Sequence, residues 1–94
     1  MTYELEFKKA ALKEWKKLKP NVRKSFSKTL ERRLENPRVP SAQLSGSPNL
    51  YKIKLKKLGY RLVYSVSDKT ITVTVISIGK RNRNEVYQIA LSRL

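Results

Sequence analysis

The stretch that decides the fold is Leu50-Tyr-Lys-Ile-Lys-Leu-Lys-Lys-Leu-Gly-Tyr-Arg-Leu-Val-Tyr64. Apolar and polar residues alternate in both of its halves, which predicts two half-buried β-strands. Residues 56–59, Lys-Lys-Leu-Gly, separate the halves, and their glycine suits the tight end of a hairpin loop. The stretch therefore predicts an antiparallel β-hairpin.

Pairing about this loop sorts the side chains onto two faces. The pairs on the apolar face are Tyr51 with Tyr64, Ile53 with Leu62, and Leu55 with Tyr60. The other face, here called the basic face, carries Lys52, Lys54 and Arg61 beside Val63. An apolar sheet face packs on something, whereas three neighbouring cations repel one another unless an anion joins them. We therefore expect a polyanion on the basic face.

Composition supports a nucleic-acid partner. Lys and Arg total 22 against 7 Asp and Glu, a formal charge of +15, and such a field attracts nucleic acid or anionic membrane. A length of 94 residues predicts a single domain, 1–94. No stretch approaches the roughly 20 apolar residues of a membrane span, and the N-terminus lacks the layout of a signal peptide. We expect a soluble, cytoplasmic protein without a membrane partner.

The chain contains neither cysteine nor histidine. Zinc sites are built mainly from these two residue types, and two-metal nucleases need clustered carboxylates. The acids are scattered: Glu4, Glu6, Glu14, Glu31, Glu35, Asp68 and Glu85. We expect no metal and no cofactor, so that any phosphodiester chemistry would proceed without a metal ion.

The N-terminal half predicts one strand and two helices. Residues 2–7 alternate apolar side chains with glutamates, as a strand does, and residues 8–18 then switch to helical spacing. Pro20 ends this helix and begins the next, which runs to residue 36 before Pro37. We expect Trp15 and Phe26 to pack between the two helices.

A loop over residues 38–48 precedes the hairpin, and a further strand follows it. We expect a tight turn at residues 68–69 and a strand over 70–78, ended by Gly79. Pairing about that turn places Val73 against Tyr64 and Val75 against Leu62 on the apolar face. Thr74 and Ile76 then lie beside Val63 and Arg61 on the basic face.

The C-terminal segment predicts a basic loop and a helix. Residues 80–83 are Lys-Arg-Asn-Arg, and Asn84 is a good helix N-cap. Residues 85–94 form the helix, with Tyr87, Leu91 and Leu94 on one side.

The element order β-α-α-β-β-β-α indicates an α+β fold with a mostly antiparallel sheet. The two N-terminal helices should cover its apolar face, and the basic face should stay open.

Further cations and one aromatic ring extend the basic face. Lys80, Arg81 and Arg83 leave the end of the last strand, and Tyr87 follows within one helical turn. Cations hold phosphates, and a ring gives an unstacked base a surface on which to stack. This combination favours single-stranded RNA over a duplex, and no convincing helix-turn-helix is present.

RNA cleavage by the ribose 2′-OH needs a base, an acid for the leaving oxygen, and stabilisation of the added charge. A lysine among cations has a lowered pKa, so a neutral amine becomes accessible at Lys52 or Lys54. Tyr87 could carry a proton or orient the nucleotide, while Arg61 and Arg81 would stabilise the phosphorane. For each residue alone the structural interpretation is preferred: a solvated face for Lys52 and Lys54, an exposed turn for residues 80–83, and a core residue for Tyr87. Together they favour a nucleic-acid role, and the pattern alone does not decide for catalysis.

Four segments carry a family likeness. They are Ala11-Leu-Lys-Glu-Trp-Lys-Lys-Leu18, Leu50-Tyr-Lys-Ile-Lys-Leu55, Gly59-Tyr-Arg-Leu-Val-Tyr64 and Ile76-Ser-Ile-Gly-Lys-Arg-Asn-Arg-Asn-Glu-Val-Tyr87. The chain resembles the bacterial RelE toxins of the RelE/ParE superfamily along essentially its whole length. The resemblance implies the microbial-RNase-like RelE fold. It also implies a toxin of a type II toxin–antitoxin pair that cuts mRNA in the ribosomal A site without a metal, leaves a 2′,3′-cyclic phosphate and stops translation.

The resemblance also implies roles for individual residues. Lys52 and Lys54 would act as base and as charge stabiliser, Arg61 would hold the transition-state phosphate, and Arg81 would serve the leaving group. Tyr87 would stack on or orient the nucleotide, and is a further candidate for the base. Further RNA contacts are expected from Lys56, Lys57, Lys80 and Arg83. The chain departs from a close relative at Ser45, where that relative has arginine.

The partners implied are a RelB-type antitoxin, the 70S ribosome with its A site and 16S rRNA, and mRNA. Operator DNA would be bound through the antitoxin complex, which represses the toxin's own operon. Two alternatives stay open: a ParE-like toxin that inhibits DNA gyrase, and a non-catalytic RNA- or ribosome-binding domain.

Overall fold

The computed structural model of the chain describes residues 2–82 and 85–94. The predicted RNA contact Arg83 and the predicted N-cap Asn84 lie outside the described residues. The elements are β1 (Glu4–Phe7), α1 (Lys9–Lys17), α2 (Pro20–Glu35), a short 3-10 helix (Pro40–Ala42), β2 (Leu50–Leu55), β3 (Tyr60–Ser67), β4 (Thr72–Lys80) and α3 (Glu85–Ser92). This order confirms the α+β prediction. No helix in the described ranges is long and apolar enough to cross a membrane.

The central hairpin has the predicted register. Tyr51 pairs with Tyr64, and Lys54 pairs with Arg61. Gly59 adopts a φ of 73°, and its N–H donates to the Leu55 carbonyl at 2.8 Å, which closes the turn. A positive φ of this size favours glycine. The alternation of the sequence was therefore enough to place β2 and β3.

The sheet has the strand order β1-β4-β3-β2, with β1 parallel to β4 and the other pairs antiparallel. The predicted start of β4 was wrong, since residues 68–71 form a four-residue turn and the strand runs from Thr72 to Lys80. Ile71 takes a φ of 51° in this turn. A β-branched residue rarely adopts that conformation, so the sequence predicted a strand there.

The predicted register of β4 was also wrong. Val73 pairs with Val66 and Val75 pairs with Tyr64, because the longer turn shifts the partners. Between Tyr64 and Val63 the register of the β3–β4 ladder shifts by one residue. Val63 therefore pairs with Ser77, and Ile76 of β4 is left without a partner. An extra residue of this kind is a β-bulge, which re-aims the side chains that follow it.

The main core lies between the sheet and helices α1 and α2. Phe26, Leu62 and Tyr64 are fully buried there. The Trp15 ring lies 5.3 Å from that of Phe7 and 6.5 Å from that of Phe26, between centroids, which confirms the predicted aromatic contact. The two helices cover the apolar face as expected.

The opposite face is only partly open, contrary to the prediction. Helix α3 packs on it and forms a second core with Val63 and Ile76. The buried residues of the helix are Val86 and Ala90, whereas Leu91 is 49% exposed and Leu94 67% exposed. The sequence predicted the helix but not its packing on the sheet, which goes through Val86 and Ala90, four residues apart.

Two contacts fix α3 close to β4. The Ser77 hydroxyl donates to the Val86 carbonyl at 2.8 Å in a buried position. At Gly79, a Cβ atom would lie 3.0 Å from a Val86 methyl group. Because such a distance is shorter than ordinary carbon contacts, Gly79 permits the close approach of helix and strand.

Asp68 anchors the N-terminal segment to the β3–β4 turn. It accepts a hydrogen bond from the Tyr3 hydroxyl at 2.7 Å and lies 2.8 Å from Arg38 Nη2. The hydrogen bond from Tyr3 and the contact with Arg38 hold the pKa of Asp68 below its usual 3.8. A carboxyl group with a lowered pKa in the folded protein stabilises the fold at pH values above its pKa in the unfolded chain. This stabilisation is lost as the pH falls through the pKa of the folded state.

We expect Asp68→Asn to lower the midpoint of thermal unfolding at pH 7. The gap to the parent should shrink as the pH falls below 3.8 and through the lower pKa of the folded state, because the carboxylate of the parent takes up its proton over this range. Thermal unfolding at pH 7 and near pH 3, beside the exposed-acid variant Glu35→Gln, measures the effect. A gap independent of pH would contradict it.

Candidate functional site

A cleft of about 200 Å³ opens where the β2–β3 hairpin, the end of β4 and the start of α3 meet. Half of its lining residues are cationic. The lining residues are Lys54, Arg61, Lys80, Arg81, Asn82, Glu85, Val86 and Tyr87. Cations therefore line the hairpin and β4 sides, and an aromatic ring comes from the helix.

The hairpin and β4 hold the arginines of the cleft in fixed relation. Lys54 and Arg61 are direct cross-strand partners on β2 and β3. Arg61 Nη1 donates to the Tyr60 carbonyl at 3.0 Å. The Arg81 backbone N–H donates to the Gly59 carbonyl at 2.7 Å, which ties the segment after β4 to the hairpin turn. Both arginines thus line the same cleft.

Helix α3 brings Tyr87 over the basic face. Lys52 Nζ lies 5.7 Å from the centroid of the Tyr87 ring, a cation–π contact. The Tyr87 hydroxyl is buried, and no described residue offers it a hydrogen-bond partner. Leaving a buried hydroxyl without a partner costs about 1–3 kcal/mol.

The cations of the cleft change the acidity of Lys54. Its pKa lies below the usual 10.5, first because of the charge of Lys52, then because of desolvation and the charges of Arg61 and Lys56. Like charges disfavour the ammonium form. Lys54 therefore has a larger neutral fraction near pH 8 than an isolated lysine, which the sequence had predicted for a lysine in this company.

An ion pair distant from the cleft supports α3 from its far end. Arg93 binds Glu14 of α1 through two hydrogen bonds of 3.0 and 3.1 Å, and its Nη1 also donates to the Ile76 carbonyl at 2.7 Å. Glu14 in turn accepts from the Ile78 backbone N–H at 3.1 Å. Strand β1 pairs with β4 only as far as Val75. The ion pair therefore takes the place of a neighbouring strand and satisfies the backbone groups of β4 that follow. We call it the Glu14–Arg93 latch.

We expect Glu14→Ala to lower the free energy of unfolding by about 1–3 kcal/mol, because it leaves a half-buried guanidinium and a strand N–H without their partner. Amide exchange in α3 should accelerate more than in β2 or β3. The matched control is Glu31→Ala, which removes an exposed acid of α2. Equal exchange rates in α3 for parent and variant would show that the latch does not hold the helix.

The structure brings most of the predicted site residues together. Lys54, Arg61, Arg81 and Tyr87 share the cleft, and Lys52 contacts the ring of Tyr87 from the neighbouring side. Of the predicted RNA contacts, Lys80 lines the cleft, whereas Lys56 and Lys57 lie in the hairpin turn outside it.

Sequence reasoning missed Asn82 and Glu85 as parts of the cleft. Glu85 carries the one carboxylate among the described cleft residues. Its position two residues after the basic run 80–83 was an available signal. The Glu14–Arg93 latch left no such signal, since its partners lie 79 residues apart.

Among the described residues, no group of three or more His, Cys, Asp or Glu could hold a metal ion. Besides the amide of Asn82 and the carboxylate of Glu85, this cleft offers amines, guanidinium groups and a phenol. These groups bind phosphates, stabilise added negative charge and transfer protons.

Comparisons with known proteins support the fold and the family. The matching family is described as the ParE toxin of the type II toxin–antitoxin system, parDE, and the match covers residues 5–85. The mRNA interferase toxin RelE of Escherichia coli strain K12 is 51% identical over 94 residues, which cover 100% of this chain and 99% of that protein.

Solved structures agree as well. The R81A/R83A mutant of E. coli toxin RelE in the free state has a TM-score of 0.92 at 49% identity, over 100% of this chain and 99% of that one. A chain of the intact E. coli RelBE toxin–antitoxin complex has a TM-score of 0.82 at 51% identity, over 86% of this chain and 99% of that one.

Proposed function

This chain belongs to the ParE toxin family of type II toxin–antitoxin systems and, within it, to the RelE toxins, and from this premise we propose that it cuts mRNA in the ribosomal A site and so stops translation. The observation that carries the proposal is the cleft in which Lys54, Arg61, Arg81 and Tyr87 converge. These are the residues to which the resemblance to RelE toxins assigns the cleavage chemistry.

The proposed reaction is an in-line transesterification. The ribose 2′-oxygen attacks the neighbouring phosphorus, the bond from phosphorus to the 5′-oxygen breaks, and a 2′,3′-cyclic phosphate remains. The neutral amine of Lys54 takes the 2′-hydroxyl proton, and its lowered pKa supports this role. The 5′-oxygen leaves with the electron pair of the broken bond and takes up a proton from solvent, while Lys54 afterwards returns its extra proton to solvent; phosphorus keeps its oxidation state.

The remaining groups stabilise charge and geometry. Arg61 and Arg81 face the added negative charge of the phosphorane from two sides, with Arg81 nearer to the leaving 5′-oxygen. Lys52 adds a further positive charge, and Tyr87 supplies a ring for the nucleotide base. We assign no metal to the reaction, and the donor set of the chain supports this assignment.

The proposed partners follow from the same premise. The charge of +15 suits a partly acidic, flexible antitoxin of the RelB type as well as ribosomal RNA. With that antitoxin the toxin would bind operator DNA and repress its own operon. The place of action would be the cytoplasm, where ribosomes and mRNA meet.

One observation favours a second candidate, inhibition of DNA gyrase. The matching family model is described by a ParE toxin rather than by a RelE toxin. A gyrase inhibitor would cause DNA damage while translation continues, and it would not need the lysines and arginines of the cleft. The full-length 51% identity to an mRNA interferase supports the nuclease instead.

The testing experiment uses ribosomes stalled with an empty A site on a defined mRNA, beside the same mRNA free in solution. We expect a cut within the A-site codon on ribosomes and weak or no cutting of free mRNA. Toxin treated beforehand with a chelator should cut at the same rate. No cut on either substrate, with gyrase inhibited in a parallel assay, would overturn the proposal in favour of the second candidate.

A further inference from the structure

A second cationic hollow lies beside the cleft, along the outer edge of β2. Its volume is about 310 Å³. The residues that line it are Arg33, Ser41, Ala42, Lys52, Lys54 and Lys56. Four of these six residues are cationic and none is acidic. Arg33 comes from α2 and Ser41 from the 3-10 helix, so the hollow combines three separate parts of the fold.

The backbone of β2 adds donors to this hollow. Hydrogen-bonding directions alternate along an antiparallel strand. The carbonyls of Leu50 and Lys52 point away from β3, since they accept from the Leu44 N–H at 2.9 Å and from Arg33 Nη1 at 3.2 Å. The same alternation directs the backbone N–H of Lys54 out of the sheet edge. A backbone N–H beside several cations is an arrangement that binds phosphate.

Arg33 is held in place without using all of its donors. Its Nη1 donates to the Lys52 carbonyl and, at 2.9 Å, to the Tyr64 hydroxyl. These described contacts all go through one of the three guanidinium nitrogens. A guanidinium has five N–H donors in a planar fork, so the fixed arginine can present its other edge to an anion.

The hollow adjoins the cleft, because Lys54 lines both. Both sites are therefore within reach of one lysine side chain. Neighbouring phosphates of an RNA strand lie about as close together. One strand could therefore place one phosphate in the cleft and a neighbouring phosphate in the hollow.

We propose that this hollow is a second phosphate subsite, in which Arg33 and Ser41 bind a phosphate next to the one that is cut. The proposal rests on the proposed function, since the ligand is the same RNA strand. Arg33 is a positioning residue here, because it touches the substrate away from the reacting atoms.

The test is cleavage of short synthetic mRNAs on ribosomes, in which single phosphates around the A-site codon are replaced by neutral methylphosphonates. We expect one replacement adjacent to the cut to raise the half-saturating toxin concentration about threefold to tenfold with the parent protein. Arg33→Gln should cause a similar loss on unmodified mRNA. The two losses should not add, because each removes the same contact.

The control variant is Arg32→Gln, which removes one charge from the exposed neighbouring position of α2. It should leave the methylphosphonate effect unchanged. The scan with the parent protein keeps the proposal testable even if Arg33→Gln destabilises the fold.

Two results would overturn the subsite. One is a parent protein that cuts every neighbouring methylphosphonate substrate like the unmodified mRNA. The other is a set of fully additive losses, which would mean that Arg33 serves only the fold. Failure of the parent to cut the unmodified mRNA would instead refute the proposed function, and the subsite with it.

Discussion

Arg81→Ala is expected to lower the single-turnover rate of mRNA cleavage on ribosomes about a hundredfold to a thousandfold. Removing one donor that stabilises transition-state charge has an effect of this size. The fold should survive, since the described structural bond of Arg81 runs from its backbone N–H to Gly59, and alanine keeps that bond. The measurement pairs cleavage rates at saturating toxin with thermal unfolding of both proteins.

Arg32→Ala is the matched control for this variant. It removes the same charge from an exposed position of α2 that does not line the cleft. We expect the cleavage rate of this control within about threefold of the parent. Full activity of Arg81→Ala would refute the assigned site, whereas equal losses in both variants would reduce the cations to a general attraction for RNA.

Lys54→Arg is expected to lower the cleavage rate about a hundredfold to ten-thousandfold, the range that general-base catalysis contributes. The charge is retained, but arginine does not lose its proton in proteins. In the parent the pKa of Lys54 is lowered by Lys52 and desolvation. The parent's rate should therefore rise with pH up to that pKa and then level off, and the variant should lose this rise.

Lys52→Arg provides the contrast, because a charge stabiliser needs only its charge. We expect it to keep most of the parent's activity and the parent's pH profile. The outcome that contradicts our assignment is the reverse pattern, an active Lys54→Arg beside an inactive Lys52→Arg. That result would transfer the role of base to Lys52.

The fold was predictable where local pattern and partner agree. The period of two in β2 and β3, with a glycine loop of fixed length, left one register that buries Tyr51 and Ile53. The turn at 68–71 was not predictable, because Ile71 occupies a left-handed conformation that its side chain disfavours. Tertiary packing, rather than local propensity, sets that turn.

The candidate site was predictable in its members but not in its enclosure. The alternation of side chains along the strands was enough to place Lys52, Lys54 and Arg61 on one face. The structure pairs Lys54 with Arg61 across the hairpin. The placement of α3 was missed, because its buried Val86 and Ala90 are less conspicuous than Leu91 and Leu94. Arg33 was identified only in the structure, because its hydrogen bond to the Lys52 carbonyl joins α2 to β2, two elements distant in sequence.

The bulge at Ile76 limits how the length of this chain can vary in evolution. Side-chain direction along a strand alternates residue by residue. Because of the unpaired residue, the side chains of Ile76 and Ser77 both contact α3, and the side chain of Ile78 lies in the main core. Deleting one residue here would reverse the direction of Gly79 and of the segment leading to Arg81. Insertions and deletions among active relatives should therefore fall in residues 38–48, outside the ladder of β4, and gaps should be absent from positions 72–81.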